Sequence, residues 1–176
     1  MSTTERKNPI TSGTRIGFIG LGLMGGGMAM NILKKHGQLA VCDPDERALA
    51  PLLAAGATRM ESPRALAAVS DIVLTSLPDP AISRQVVLGP NGLIEGLAAE
   101  SAVIGMSTDG IEAVREIASA LTARHIRFVD CPVGKGPTAA AAGELQLFAA
   151  GDRETCDQLR WVLSMIGSNI DYCGPI

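Results

Sequence analysis

Residues 15–31 read Arg-Ile-Gly-Phe-Ile-Gly-Leu-Gly-Leu-Met-Gly-Gly-Gly-Met-Ala-Met-Asn, and no other stretch constrains the fold as tightly. Ile16, Phe18 and Ile19 form a short apolar run of the kind a buried parallel strand needs. Gly20, Gly22 and Gly25 then fall at the spacing G-x-G-x-x-G, and Met28, Ala29, Ile32 and Leu33 follow at helical spacing. Between a strand and a helix, the first glycine permits a tight turn. The second lets the main chain approach a pyrophosphate, and the third lets the helix pack closely on the strand. Phosphates would meet unpaired N–H groups at the helix start. Asp43, about 20 residues on, is the acidic partner that a dinucleotide site requires. The alternative is a purely structural turn, since three glycines can fall into this register by chance. The strand, the helix and the aspartate in their expected places favour the nucleotide. Gly26 and Gly27 point the same way: glycine within a helix costs about 1 kcal/mol relative to alanine, which implies a close approach to that backbone.

With Met24, Met28, Ala29 and Asn31 added, the segment Phe18-Ile-Gly-Leu-Gly-x-Met-Gly-x-x-Met-Ala-x-Asn31 resembles the N-terminal signature of the β-hydroxyacid dehydrogenases. The resemblance extends over residues 15–176. It implies an NAD-binding domain in which Gly20, Leu21, Gly22, Leu23, Met24 and Gly25 surround the pyrophosphate.

A chain of 176 residues with 47% hydrophobic residues suffices for one domain and a sizeable core. A net charge of −3 offers no basic field for nucleic acid, and no apolar run approaches the ~20 residues of a membrane span. A cytoplasmic protein without nucleic-acid or membrane partners is expected. Cys42, Cys131, Cys156 and Cys173 form no C-x-x-C pair and read as reduced, buried thiols. Only His36 and His125 are present, which argues against a histidine metal site. His36 suits the C-terminal end of the first helix, and His125 the start of a strand. Residues 1–14 are polar and lack an apolar signal segment, so they are expected to be a disordered tail ahead of a domain over 15–176.

Strand-like and helix-like segments alternate along the rest of the chain, which predicts a doubly wound α/β Rossmann fold with a mostly parallel sheet. Residues 38–42 read as the second strand, ending at Asp43. A carboxylate there accepts hydrogen bonds from the adenosine ribose hydroxyls and repels a 2′-phosphate, favouring NAD over NADP. Asp45 suits the N-cap of the next helix, and Arg47 leaves some tolerance for NADP. Residues 57–60 read as a third strand, Ser62-Pro63 as the start of a short helix, and 71–77 as a buried strand before a helix ending near Leu88. Leu77 and Pro78 either lie along the cofactor, as the resemblance implies, or merely end the strand.

Residues 102–106 read as the fifth strand, leading through Ser107-Thr108-Asp109 into a helix with Ile111, Val114, Ile117, Ala118 and Leu121 on one face. Asp109 and Glu112 suit a capping box. The resemblance implies instead that Thr108 approaches the nicotinamide and Ser107 the substrate. Here, however, Gly105 stands where the family has an aspartate and Asp109 where it has an apolar residue.

Residues 126–129 read as the sixth strand, and 130–143, Asp-Cys-Pro-Val-Gly-Lys-Gly-Pro-Thr-Ala-Ala-Ala-Ala-Gly, resemble the family's substrate loop with its alanine-rich turn. Gly134 replaces a serine and Lys135 a glycine. A cation beside Gly136 resembles the branch acting on sulfolactaldehyde or succinic semialdehyde; the alternative is a solvated lysine. Residues 144–150 read as a strand, Asp152 as the cap of a helix stopped by Gly167, and 169–173 as a last strand. Trp161 and Met165 read as packing residues. The resemblance implies hydride transfer between NAD and a small anionic hydroxy acid or semialdehyde, in a homo-oligomer when full length. It also implies an acid–base lysine beyond residue 176, so no catalytic residue is assigned within this chain and the fragment alone is expected to be inactive. An imine-reductase-like relative and a non-catalytic nucleotide-binding module remain as alternatives.

Overall fold

Strands apolar at every position must be covered on both faces, and alternating helices supply that cover. The structure, a computed structural model, describes residues 13–176. The first half comprises β1 (Ile16–Ile19), α1 (Gly25–His36), β2 (Ala40–Cys42), α2 (Glu46–Ala54), β3 (Thr58–Arg59), α3 (Pro63–Ala68), β4 (Ile72–Thr75) and α4 (Pro80–Leu88). After a 3-10 turn at Leu93–Glu95 follow β5 (Ala102–Gly105), α5 (Ile111–Thr122), β6 (Arg127–Asp130), β7 (Val133–Gly134), α6 (Gly136–Ala142), β8 (Leu145–Gly151), α7 (Arg153–Leu163) and β9 (Gly167–Gly174).

Strands β3-β2-β1-β4-β5-β6 lie side by side and parallel, so the winding direction reverses between β1 and β4. Strand β8 runs antiparallel to both β6 and β7, and β9 pairs parallel with β8. The Rossmann-type sheet expected from the sequence is therefore present. Ile16, Phe18, Ile72, Leu74, Ala102 and Ile104 enter one core with Met28 and Ile32 of α1, Leu49 of α2 and Leu159 of α7. Ile19, Val73 and Val103 enter a second core with Leu66 of α3 and Ile117 and Leu121 of α5. Each fully buried side chain of this size stabilises the fold by roughly 1.5–3 kcal/mol.

Several local expectations are corrected. The alanine-rich segment is not a turn but α6, which packs on α1. A Cβ on Gly27 would lie 2.8 Å from the Ala141 nitrogen, so this glycine serves helix–helix contact and not a nucleotide. A Cβ on Gly26 would lie 2.9 Å from the Leu21 carbonyl, within the turn itself. No capping box forms at α5: its N-cap is Gly110 without a side-chain bond, and Asp109 Oδ1 is buried without a partner. Gly37, at φ +88°, caps α1, while His36 Nε2 donates to the Thr14 carbonyl at 2.8 Å. His125 occupies the turn before β6 in the left-handed region, and Gly167 opens β9 after α7 has ended. The expected tail falls outside the described residues through residue 12, and Thr14 is buried against the fold.

Candidate functional site

The reversal of winding opens a cleft of about 790 Å³ at the C-terminal ends of β1, β2 and β4, where open α/β sheets bind ligands. Its floor is the glycine turn. Gly20 adopts φ +87°, and a Cβ there would collide with the Ser76 carbonyl. A Cβ on Gly25 would strike the Gly20 carbonyl and approach the Phe18 ring to 3.2 Å. A Cβ on Gly22, by contrast, would meet nothing within 4 Å. The first and third glycines are thus required by the protein itself, whereas the space over the second is open to the cleft.

Asp43 closes one side. One carboxylate oxygen accepts the Leu21 N–H at 2.6 Å and the other accepts the Asp45 N–H at 2.8 Å, which leaves lone pairs on both. Gly20, Gly22, Leu23, Met24, Gly25, Asp43, Leu77 and Pro78 all line the cleft. Leu21 does not: its side chain is buried, and its contribution is the N–H that locks the turn to Asp43. Leu23 is 87% exposed, an apolar side chain projecting from the turn without protein cover.

Helix capping divides the described helices into two groups. Asp45, Ser62, Asp79 and Asp152 cap α2, α3, α4 and α7 through their side chains. No side chain caps α1, α5 or α6. These three follow the glycine turn, the Ser107-Thr108 pair and Lys135. Their starts lack a side-chain acceptor, although the Gly26 N–H of α1 already donates to the Gly22 carbonyl at 2.9 Å and Pro137 gives α6 no N–H at its second residue.

Residues 15–174 match the family described as the NAD binding domain of 6-phosphogluconate dehydrogenase. The chain belongs to this family. It is 35% identical over 160 residues to 2-(hydroxymethyl)glutarate dehydrogenase of Eubacterium barkeri, covering 91% of this chain and 53% of that protein. It is also 35% identical over 159 residues to 3-sulfolactaldehyde reductase of Escherichia coli K12, covering 90% of this chain and 53% of the relative. The solved structure of 3-hydroxyisobutyrate dehydrogenase from Salmonella typhimurium superposes with a TM-score of 0.86 at 33% identity, over 92% of this chain and 56% of that one. The chain spans about half the length of the curated relatives it matches.

Within this NAD-binding domain, Ser107, Thr108, Gly134, Lys135 and Gly136 lie outside the cleft lining. Ser107 is buried, and its hydroxyl accepts the Leu77 N–H at 2.8 Å, so it fixes the cleft wall. Thr108 is exposed after β5. Lys135 is exposed at φ +77°, preceding Gly136 at φ +73°. Asp130 sits at the end of β6, with an oxygen 3.8 Å from where a Cβ on Gly105 would stand. Burial, and then the nearby Asp109 carboxylate, push its pKa up to about 6.

Sequence reasoning passed over Arg59 and Glu61, which line the cleft from the end of β3. Only the pairing of β3 with β2 brings them there; an Arg-Met-Glu run at a strand end is the signal they leave. It also passed over the work of Asn31, whose amide Nδ2 donates to the carbonyls of Gly27, Ala140 and Ala141.

Proposed function

We propose that residues 15–176 form the cofactor half of an NAD-dependent oxidoreductase that transfers hydride between nicotinamide and a small anionic hydroxy acid or its semialdehyde. The observation that carries this reading is the cleft: an open space over Gly22, a start of α1 that no side chain caps, and Asp43 tied to the same turn. Pyrophosphate suits the first two, and the ribose diol suits the free lone pairs of the third. Bound there, the nicotinamide supplies the hydride acceptor or donor. Leu77 and Pro78 offer an apolar wall, Ser107 holds that wall through Leu77, and Thr108 stands at the adjacent strand end.

The substrate's anionic end is assigned to Lys135, beside Gly134 and Gly136. A lysine in the left-handed region carries roughly 1–2 kcal/mol of strain that glycine would not. Such strain concentrates where function keeps it. An ammonium supplies charge without a planar fork, which suits a sulfonate or a carboxylate one carbon further out. That a relative is named 3-sulfolactaldehyde reductase supports this class of anion. The acid–base lysine is proposed to come from outside residues 15–176, in a cytoplasmic homo-oligomer.

Assay of the full-length protein against sulfolactaldehyde, succinic semialdehyde, 3-hydroxyisobutyrate and tartronate semialdehyde tests the substrate. Lys135→Ala should raise KM for the preferred anion. A preference for 3-hydroxyisobutyrate, with the alanine variant indifferent, would reject the assignment of Lys135.

A further inference from the structure

Among the described residues lining the cleft, Arg59 is the only cation. It extends from edge strand β3 beside β2, the strand whose end carries Asp43. Both of its terminal nitrogens are engaged by one carboxylate: Nη1 donates to Glu46 Oε2 and Nη2 lies against Glu46 Oε1, each at 2.8 Å. Its Nε lies 3.2 Å from Glu61 Oε1. The other guanidinium near this edge, Arg47, is held by Asp45 at 3.2 Å and does not line the cleft. Asp43, Asp45, Glu46 and Glu61 thus face two paired arginines, and the rim has an excess of negative charge.

The Cys42 thiol reports the same proximity. Burial raises its pKa first, then the charges of Asp43 and Glu61, with Arg59 opposing them.

We propose that Glu46 and Glu61 are specificity-determining residues that disfavour NADP by holding Arg59 in a closed ion pair. The inference rests on the reading that Asp43 faces the adenosine ribose. A 2′-phosphate there needs a cation. Arg59 is placed to supply one, but its terminal fork is engaged by Glu46 and its Nε–H faces Glu61. A dianion would have to displace a bidentate partner, so the pair disfavours it, whereas the neutral diol of NAD needs no cation. Selectivity then has two parts, a positive one at Asp43 and the withholding of the Arg59 cation by Glu46 and Glu61.

Fluorescence titration with NADH and with NADPH at low ionic strength tests this. In E46Q/E61Q the ratio of Kd for NADPH to Kd for NADH should fall roughly tenfold, the worth of one charge-assisted hydrogen bond. Adding R59A to that double variant should restore the parent ratio. A ratio within about twofold of the parent, or a gain that survives loss of Arg59, overturns the proposal. If E46Q/E61Q fails to fold because Glu46 ties α2 to β3, E61Q alone must give a smaller shift in the same direction, and no shift overturns the proposal. D43S tests the ribose reading separately: unweakened NADH binding would sink that reading, while an Arg59-dependent change in the ratio would still stand.

Discussion

The Asn31 side-chain amide donates to the main-chain oxygens of Ala140, at 2.9 Å, and Ala141, at 3.0 Å, joining α1 to the end of α6 across more than a hundred residues of chain. Gly27, one turn earlier on α1, removes the Cβ that would block that approach. The helix that begins at the glycine turn and the helix that begins after Lys135 are therefore held as a unit.

Asn31→Ala removes donors from these carbonyls and should destabilise the protein by about 1–2 kcal/mol. Gly27→Ala places a methyl against the α6 backbone, where overpacking costs about 1–3 kcal/mol. Urea unfolding midpoints measure both. Equal stability of either variant and the parent would show that the α1–α6 contact contributes nothing.

Lys135→Gly should raise stability by about 0.5–1 kcal/mol, because the left-handed backbone is free to glycine and strained for lysine. Lys135→Ala should not, since alanine retains a Cβ. Thermal unfolding of the two variants side by side separates backbone strain from loss of the charge, and the same proteins serve for the KM comparison.

Asp130 makes stability depend on pH in a defined direction. Its folded-state pKa, pushed up to about 6 from 3.8, means that the folded state holds the proton more tightly than the unfolded chain. Its favourable contribution is therefore complete below about pH 4 and is lost as pH rises through about 6. Asp130→Asn should be more stable than the parent at pH 7.5 by about 1 kcal/mol, allowing for solvent screening, with the difference disappearing near pH 4. Chemical denaturation across this range measures it, and a difference that grows toward low pH would contradict the assignment.

On the proposal that the acid–base lysine lies outside residues 15–176, these residues should bind NADH yet oxidise no hydroxy acid at a useful rate, since an acid–base group is worth about 10²–10⁴-fold in rate. Cofactor fluorescence and a coupled assay on the purified chain provide the two readings. Steady turnover abolished by Lys135→Ala would make Lys135 the acid–base residue.

The dinucleotide turn was legible from residues 15–31 because its geometry is local. Gly25 answers to Gly20 and Phe18 of the same turn and strand, Gly20 to the positive φ of the turn, and Gly22 leaves its space open, and chain spacing records all three. The caps Asp45 and Asp152 were legible for the same reason: the acceptor and the N–H it serves are two or three residues apart. The bare starts of α5 and α6, the packing reason for Gly27 and the Arg59 ion pairs were not. Asp109 and Glu112 carry the spacing of a capping box, but the tertiary path of the β5–α5 turn directs Asp109 toward Asp130 and buries its Oδ1 instead. Pro137 in the first turn, four alanines and Gly143 at the cap do carry local signals of a helix, but that Gly27 and Asn31 of α1 receive it is decided only by packing. Local hydrogen bonds are written into spacing, whereas contacts between distant segments depend on which strands become neighbours, and only the packed sheet settles that.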